Sequence, residues 1–155
     1  MEVADRVLEI LEIMRETELW AAEYYKSCLL LCPESERDFF SKLSIEKNKH
    51  TQYISVIKAY CLKNPDYFEL NVPFDAELAK KAISSIKDNI RRIQKWEIKY
   101  DQLANIAAEM EESIIRHRYG KIFKINHQNH LKLLNEISED TIRHHKMVSE
   151  KTNKQ

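Results

Sequence analysis

Glu18, Tyr25 and His50 are residue types that bind or tune transition metals, and the chain carries all three twice. Glu112, Tyr119 and His144 each lie 94 residues further on, with no gap needed to align the two sets. Ser44 with Ser138, and Ser55 with Ser149, fall on the same offset. Each His also has an acid four positions earlier, Glu46 before His50 and Asp140 before His144. Carboxylates suit hard cations and imidazole is a neutral ligand of intermediate softness, so these are the donors of iron, zinc and manganese sites. A gap-free repeat that keeps Glu, Tyr and His but little else predicts two copies of one helical hairpin, each supplying half of a site.

Long helices must position these residues. The chain has one Gly and three Pro, all the Pro between positions 33 and 73, so little interrupts helical runs. Steps of four and three in the order Val7, Leu11, Met14, Glu18, Ala21, Tyr25, Cys28, Cys32 predict a first helix over 3–31. Glu18 sits mid-stripe, where an unpaired carboxylate is costly, so it requires a partner. Pro33-Glu34-Ser35 is a tight reversal, and Phe40, Leu43, Lys47, His50, Ile54, Ile57 and Cys61 form the seam of a second helix over 34–63.

Asn64-Pro65-Asp66 ends that helix, and an irregular stretch to Pro73 follows. Ile83, Ile86, Ile90 and Ile93 then mark an extra helix within 74–99, inside a long crossover. A third long helix is predicted over 100–123, with Ala108, Glu112, Ile115, Tyr119 and Ile122 inward. The neighbouring Glu111 takes the inward place if the helix is rotated by one residue. Gly120 and the run NHQNH favour a reversal, and the fourth helix covers 128–151 with Leu134, Ile137, Thr141, His144 and Val148 inward. The tail 149–155 reads as solvated and frayed.

The 155 residues predict one domain, made of a hairpin (3–63), a crossover (64–99) and a second hairpin (100–151). Lys+Arg and Asp+Glu balance at 25 each, which argues against nucleic acid or an anionic membrane surface as partner. No run is apolar enough to span a bilayer, and the N-terminus lacks the order of a signal peptide. The three Cys do not make a disulfide framework, and cytoplasmic is the expected location. Cys28 and Cys32 read as small apolar core residues, Trp20 and Trp96 as packing residues, and His117, His127, His130 and His145 as surface or loop residues.

Two short hairpins joined by one long crossover are the connection pattern of a ferritin-like antiparallel four-helix bundle, an all-α fold. The segments ELWAAEYY (18–25), FFSKLSIEKNKH (39–50), LANIAAEMEESIIRHRY (103–119) and LLNEISEDTIRHH (133–145) resemble the ferritin-like superfamily, closest to rubrerythrin-like di-iron carboxylate proteins. The resemblance covers nearly all of the chain outside 64–99. It implies that Glu18 and Glu112 occupy the lone-Glu positions of the first and third helices, and His50 and His144 the two His positions. It implies bound iron, with zinc or manganese as alternatives, and handling of oxygen or peroxide, with Tyr25 or Tyr119 donating an electron or proton. A homodimer is the expected assembly.

The chain departs from the family three residues before each His, where a bridging Glu belongs and Lys47 and Thr141 stand. Three outcomes are open at this level. Glu46 and Asp140 replace the lost acids, since side chains at i and i+4 share a helix face. Or Glu18, His50, Glu112 and His144 alone hold one ion. Or no metal binds, and the Lys47 ammonium neutralises the inner carboxylates of a non-catalytic scaffold or interaction protein.

Overall fold

The scarcity of breakers produces two helices of more than 25 residues at once. Helix α1 spans Val3–Cys28 and α2 spans Arg37–Lys63, joined by a turn through Pro33. In this computed structural model residues 2–153 are described, and 82% of them are helical. The α2 seam is buried as its spacing predicts, with Phe40, Leu43, Lys47, His50, Ile54, Ile57 and Cys61 all inside. The α1 seam is likewise buried from Val7 to Cys28, while Cys32 lies beyond the helix and is half-buried. Pro65 ends α2 by disfavouring helical backbone at Asn64.

The crossover is less irregular than expected. Strand β1 (Phe68–Leu70) pairs antiparallel with β2 (Phe123–Ile125), in the register Phe68 to Ile125, Glu69 to Lys124 and Leu70 to Phe123. Phe68, Phe123 and Ile125 are buried, which gives this short ribbon an apolar face. Between the strands comes α3 (Ala76–Gln94), capped by the Asp75 carboxylate accepting from the Leu78 N–H at 3.0 Å. Its stripe Ala79, Ile83, Ile86, Ile90 and Ile93 is buried, and α3 lies against α1, where Ala79 and Ile83 pack with Ile13. Trp96 does not pack: it is 73% exposed and left-handed (φ 60°) in the turn that ends α3. That turn also keeps α3 from continuing into the next helix.

The largest departure is in the third long helix, expected as one rod over 100–123. Helix α4 (Leu103–Arg116) stops early, and Arg118 adopts left-handed backbone (φ 55°, ψ 48°). The single turn α5 (Tyr119–Ile122) then leads into β2. Gly120 sits where α5 passes close to the next helix, α6 (Gln128–Asn153). A Cβ at Gly120 would lie 2.6 Å from Asn135 Oδ1, and the Gly120 N–H donates to Ser138 Oγ at 3.0 Å. Helix α6 continues past the expected frayed start at 149, since Val148 is buried and Lys151 pairs with Glu36 at 2.6 Å. Residues 154 and 155 of the expected tail lie outside the described residues.

Helix α1 packs most extensively on α2, and α4 on α6, while α2 also meets α6. Tyr24 ties the pairs together, its hydroxyl donating to the Leu103 carbonyl at 2.7 Å. The apolar core runs from Val7, Leu11 and Met14 through Leu43, Ile54 and Ile57 to Leu134, Ile137 and Val148, all fully buried. No described helix is long and apolar enough to cross a membrane.

Candidate functional site

Glu18 from α1, Lys47 and His50 from α2, Glu111 from α4 and His144 from α6 meet inside this core, each with no exposed side-chain surface. The Lys47 ammonium stands between the two carboxylates, 2.9 Å from Glu111 Oε2 and 3.4 Å from Glu18 Oε2. Tyr25 donates its hydroxyl to Glu111 Oε1 at 2.7 Å. Burial pushes the Tyr25 hydroxyl well above its ordinary pKa, reinforced by the Glu111 charge, so it stays a protonated donor.

The two histidines carry different charge. His50 Nδ1 is 3.0 Å from Glu18 Oε1 and its Nε2 is 2.9 Å from Asp140 Oδ2. A carboxylate only accepts, so carboxylates at both ring nitrogens require a proton on each, which makes His50 an imidazolium. Burial opposes that charge, but Glu18 and Asp140 outweigh it and raise the His50 pKa. His144 Nε2 donates to Glu46 Oε2 at 2.7 Å, while its Nδ1 is 3.9 Å from Glu111 Oε1 and has no hydrogen-bond partner among the described residues. Burial, with Lys47 nearby, lowers the His144 pKa and leaves it neutral. The inner charges therefore cancel, Lys47 and His50 against Glu18 and Glu111.

The Glu18 carboxyl illustrates the balance. Burial raises its pKa, but Lys47 and His50 prevail and hold it at about 2. Burial likewise opposes charge on Lys47, and the two carboxylates override it, raising its pKa. At the rim, Arg143 donates to Glu46 Oε1 at 3.0 Å and to Asp140 Oδ1 at 3.1 Å, joining the two acids that serve the histidines.

Glu112 is not part of the site. It is exposed and pairs with Arg116 at 3.1 Å, and Glu111 holds the inward place. The physical cause is the break after α4. Glu18 and Tyr25 are seven residues apart in a continuous helix, whereas Glu111 and Tyr119 are eight apart. The turn at 117–118 takes up the extra residue. Tyr119, His50, His144, Glu46 and Asp140 keep the offset of the repeat, and only the third-helix Glu slips. Ala108 and Ile115, expected inward, are half-buried for the same reason, and Met110 and Ile114 are buried instead. The signal was present, since Leu103, Ala104, Ala107, Met110, Glu111 and Ile114 form a helical stripe by themselves.

Glu46 and Asp140 do reach the cluster, but as acceptors for the outer nitrogens of the opposite hairpin's His. Tyr119 is buried, and its hydroxyl has no hydrogen-bond partner among the described residues. Arg143 lies outside the repeat, and its three-residue spacing from Asp140 on one helix is the signal the sequence carries for it. Of His127 and His130, expected as surface or loop residues, His127 lies in the loop before α6 and His130 in its first turn; both are half-buried, stacked on each other and tilted against Tyr60. Buried Cys28 and Cys61 and half-buried Cys32 are all free thiols.

These residues do not fit a two-metal centre. A bridging carboxylate is missing from both positions: Lys47 puts an ammonium between the acids, and Thr141 spends its hydroxyl on the Ile137 carbonyl at 2.7 Å. Two cations already neutralise the two inner carboxylates, so a dication there would carry uncompensated charge. Among the described residues no three His, Cys, Asp or Glu side chains are grouped to hold a metal ion. Compared with protein-family models, curated proteins and solved structures, the chain matches none.

Proposed function

We propose that the chain is a ferritin-like four-helix bundle in which a buried ion network replaces the metal centre, and that it works as a non-catalytic scaffold or interaction protein. The observation that carries this reading is the Lys47 ammonium between Glu18 and Glu111, fully buried and bonded to both. The pairing of α1 with α2 and of α4 with α6, around a crossover that holds α3, supports the bundle reading. In such a core the network contributes uniqueness of packing rather than chemistry, because every charged group has only one arrangement that satisfies it.

The test is elemental analysis of protein purified without chelator, followed by iron, zinc and manganese titration. The expected result is no stoichiometric metal and a melting temperature unchanged by chelator. One or more tightly held ions per chain would overturn the proposal. A second reading has one observation in its favour. Both His carry a carboxylate on Nε2, as ligating histidines do, and the His144 Nδ1 faces Glu111 without a partner. In that reading Glu18, His50, Glu111 and His144 hold a single iron, zinc or manganese ion. The substitution Lys47→Glu separates the two: it restores a carboxylate at the bridging position and removes the competing ammonium. A gain of metal binding in that variant alone, with none in the native chain, supports the metal-free reading of the native protein.

A further inference from the structure

The break between α4 and α5 opens a cleft of about 430 Å³ against α6, a volume within the range of small-molecule sites, roughly 300–1,000 Å³. Ile114, Ile115 and Ile142 supply apolar wall, and Ile142 is 58% exposed although it lies on a regular helix. Arg118 and Lys121 line the same cleft. The nearby Arg116 and Arg143 are each paired with carboxylates, but Arg118 and Lys121 pair with none among the described residues. Glu139 also lines the cleft and approaches neither cation closely enough to pair, so the lining keeps a net positive charge.

Two further features shape the cleft wall. Arg118 holds the left-handed backbone common just past a helix C-cap, and it turns the chain from α4 into α5 along the cleft. The α5 turn is fixed on α6 by the Gly120 N–H bond to Ser138, so the wall is set before any ligand arrives.

The geometry points to this cleft as a binding site for a small amphipathic carboxylate, its alkyl chain against the isoleucines and its carboxylate on Arg118 and Lys121. An apolar wall beside two unpaired cations selects a molecule with one anionic end. The arrangement disfavours an amine of the same length, which would face both cations. It gives a neutral alcohol only the apolar part of the contact.

Octanoate serves as probe for calorimetric titration of the full chain, with octylammonium and 1-octanol as controls, and shift perturbation of the Ile115 and Ile142 methyls reports location. Saturable one-to-one binding of octanoate is expected, weaker for octanol and absent for octylammonium. Arg118→Gln and Lys121→Gln should each weaken it roughly two- to five-fold, the range of a partly exposed charge pair. Glu139→Gln should tighten it by a similar factor, a gain that loss of folding cannot imitate. Absence of saturable octanoate binding, equal binding of octylammonium, or shifts that leave both methyls unmoved would overturn the assignment.

Discussion

Replacing Lys47 with Met removes the ammonium and keeps a side chain of similar length, so the cavity change is small and the charge change is complete. Glu18 then retains His50, but Glu111 retains only the Tyr25 hydroxyl. Breaking a buried ion pair by removing one partner costs about 3–5 kcal/mol. Glu18 gives a second route to the magnitude: its carboxyl is held at about 2 instead of 4.5. A displacement of that size corresponds to about 3 kcal/mol, part of it due to His50. A chain of this length loses about 2–4 °C of melting temperature per kcal/mol, so Lys47→Met should melt about 6–20 °C lower at neutral pH.

The sign with pH follows from the depressed Glu18. Its contribution is present above its ordinary value of 4.5 and is lost as pH falls toward 2, where Lys47 becomes the unpaired charge. The deficit of Lys47→Met should therefore shrink as pH falls from 7 to 3. Adding Glu111→Gln to the variant should restore stability, because the carboxylate left bare is then neutral. Circular-dichroism melts and urea unfolding of the four proteins in this cycle measure the coupling. A variant as stable as the native chain at pH 7, or additive single changes, would refute the counter-ion argument.

Other outcomes follow from the same geometry. In an NMR titration the His50 ring should titrate above 6.5 and the His144 ring below it; the reverse order would overturn the proton assignment. His50 then adds stability that is complete below 6.5 and is lost as pH rises through its folded value, whereas His144 opposes folding as pH falls. Glu111→Ala should cost about 3 kcal/mol or more by leaving Lys47 and His50 to share Glu18 alone among the inner carboxylates, while Glu112→Ala should stay within about 0.5 kcal/mol because its partner is a solvated Arg116. Equal costs for the two in chemical denaturation would contradict the helix register. Tyr25→Phe should lose about 1.5–3 kcal/mol with its bond to the ionised Glu111, and Tyr119→Phe should lose little, since its hydroxyl has no partner. Thermal melts of the pair check this, and matching losses would count against it.

Much of the helical framework is legible in the sequence because each seam is set by three- and four-residue steps that a continuous helix enforces. Phe40 to Cys61 in α2 and Ile83 to Ile93 in α3 are buried as their spacing demands. The candidate site was legible where such steps continue unbroken, at Glu18, Lys47, His50 and His144. It failed at Glu112 because the repeat assumed one helix through Tyr119, and a left-handed Arg118 is set by tertiary fit of α5 on α6 rather than by local propensity. The ribbon of β1 and β2 was hidden for a related reason, since three-residue strands show no periodicity and pair across some 55 positions. Trp96 shows the converse, a bulky apolar residue read as a packing residue whose turn conformation carries it outward.

The crossed pairing of His50 with Asp140, and of His144 with Glu46, has a consequence for the molecule as a whole. Neither hairpin owns the acceptor that the Nε2 of its own imidazole needs. A chain severed within the crossover would yield two fragments, each holding half of the other's missing bonds. Only reassembly, or association with a duplicate of itself, would let either fragment bury its charges.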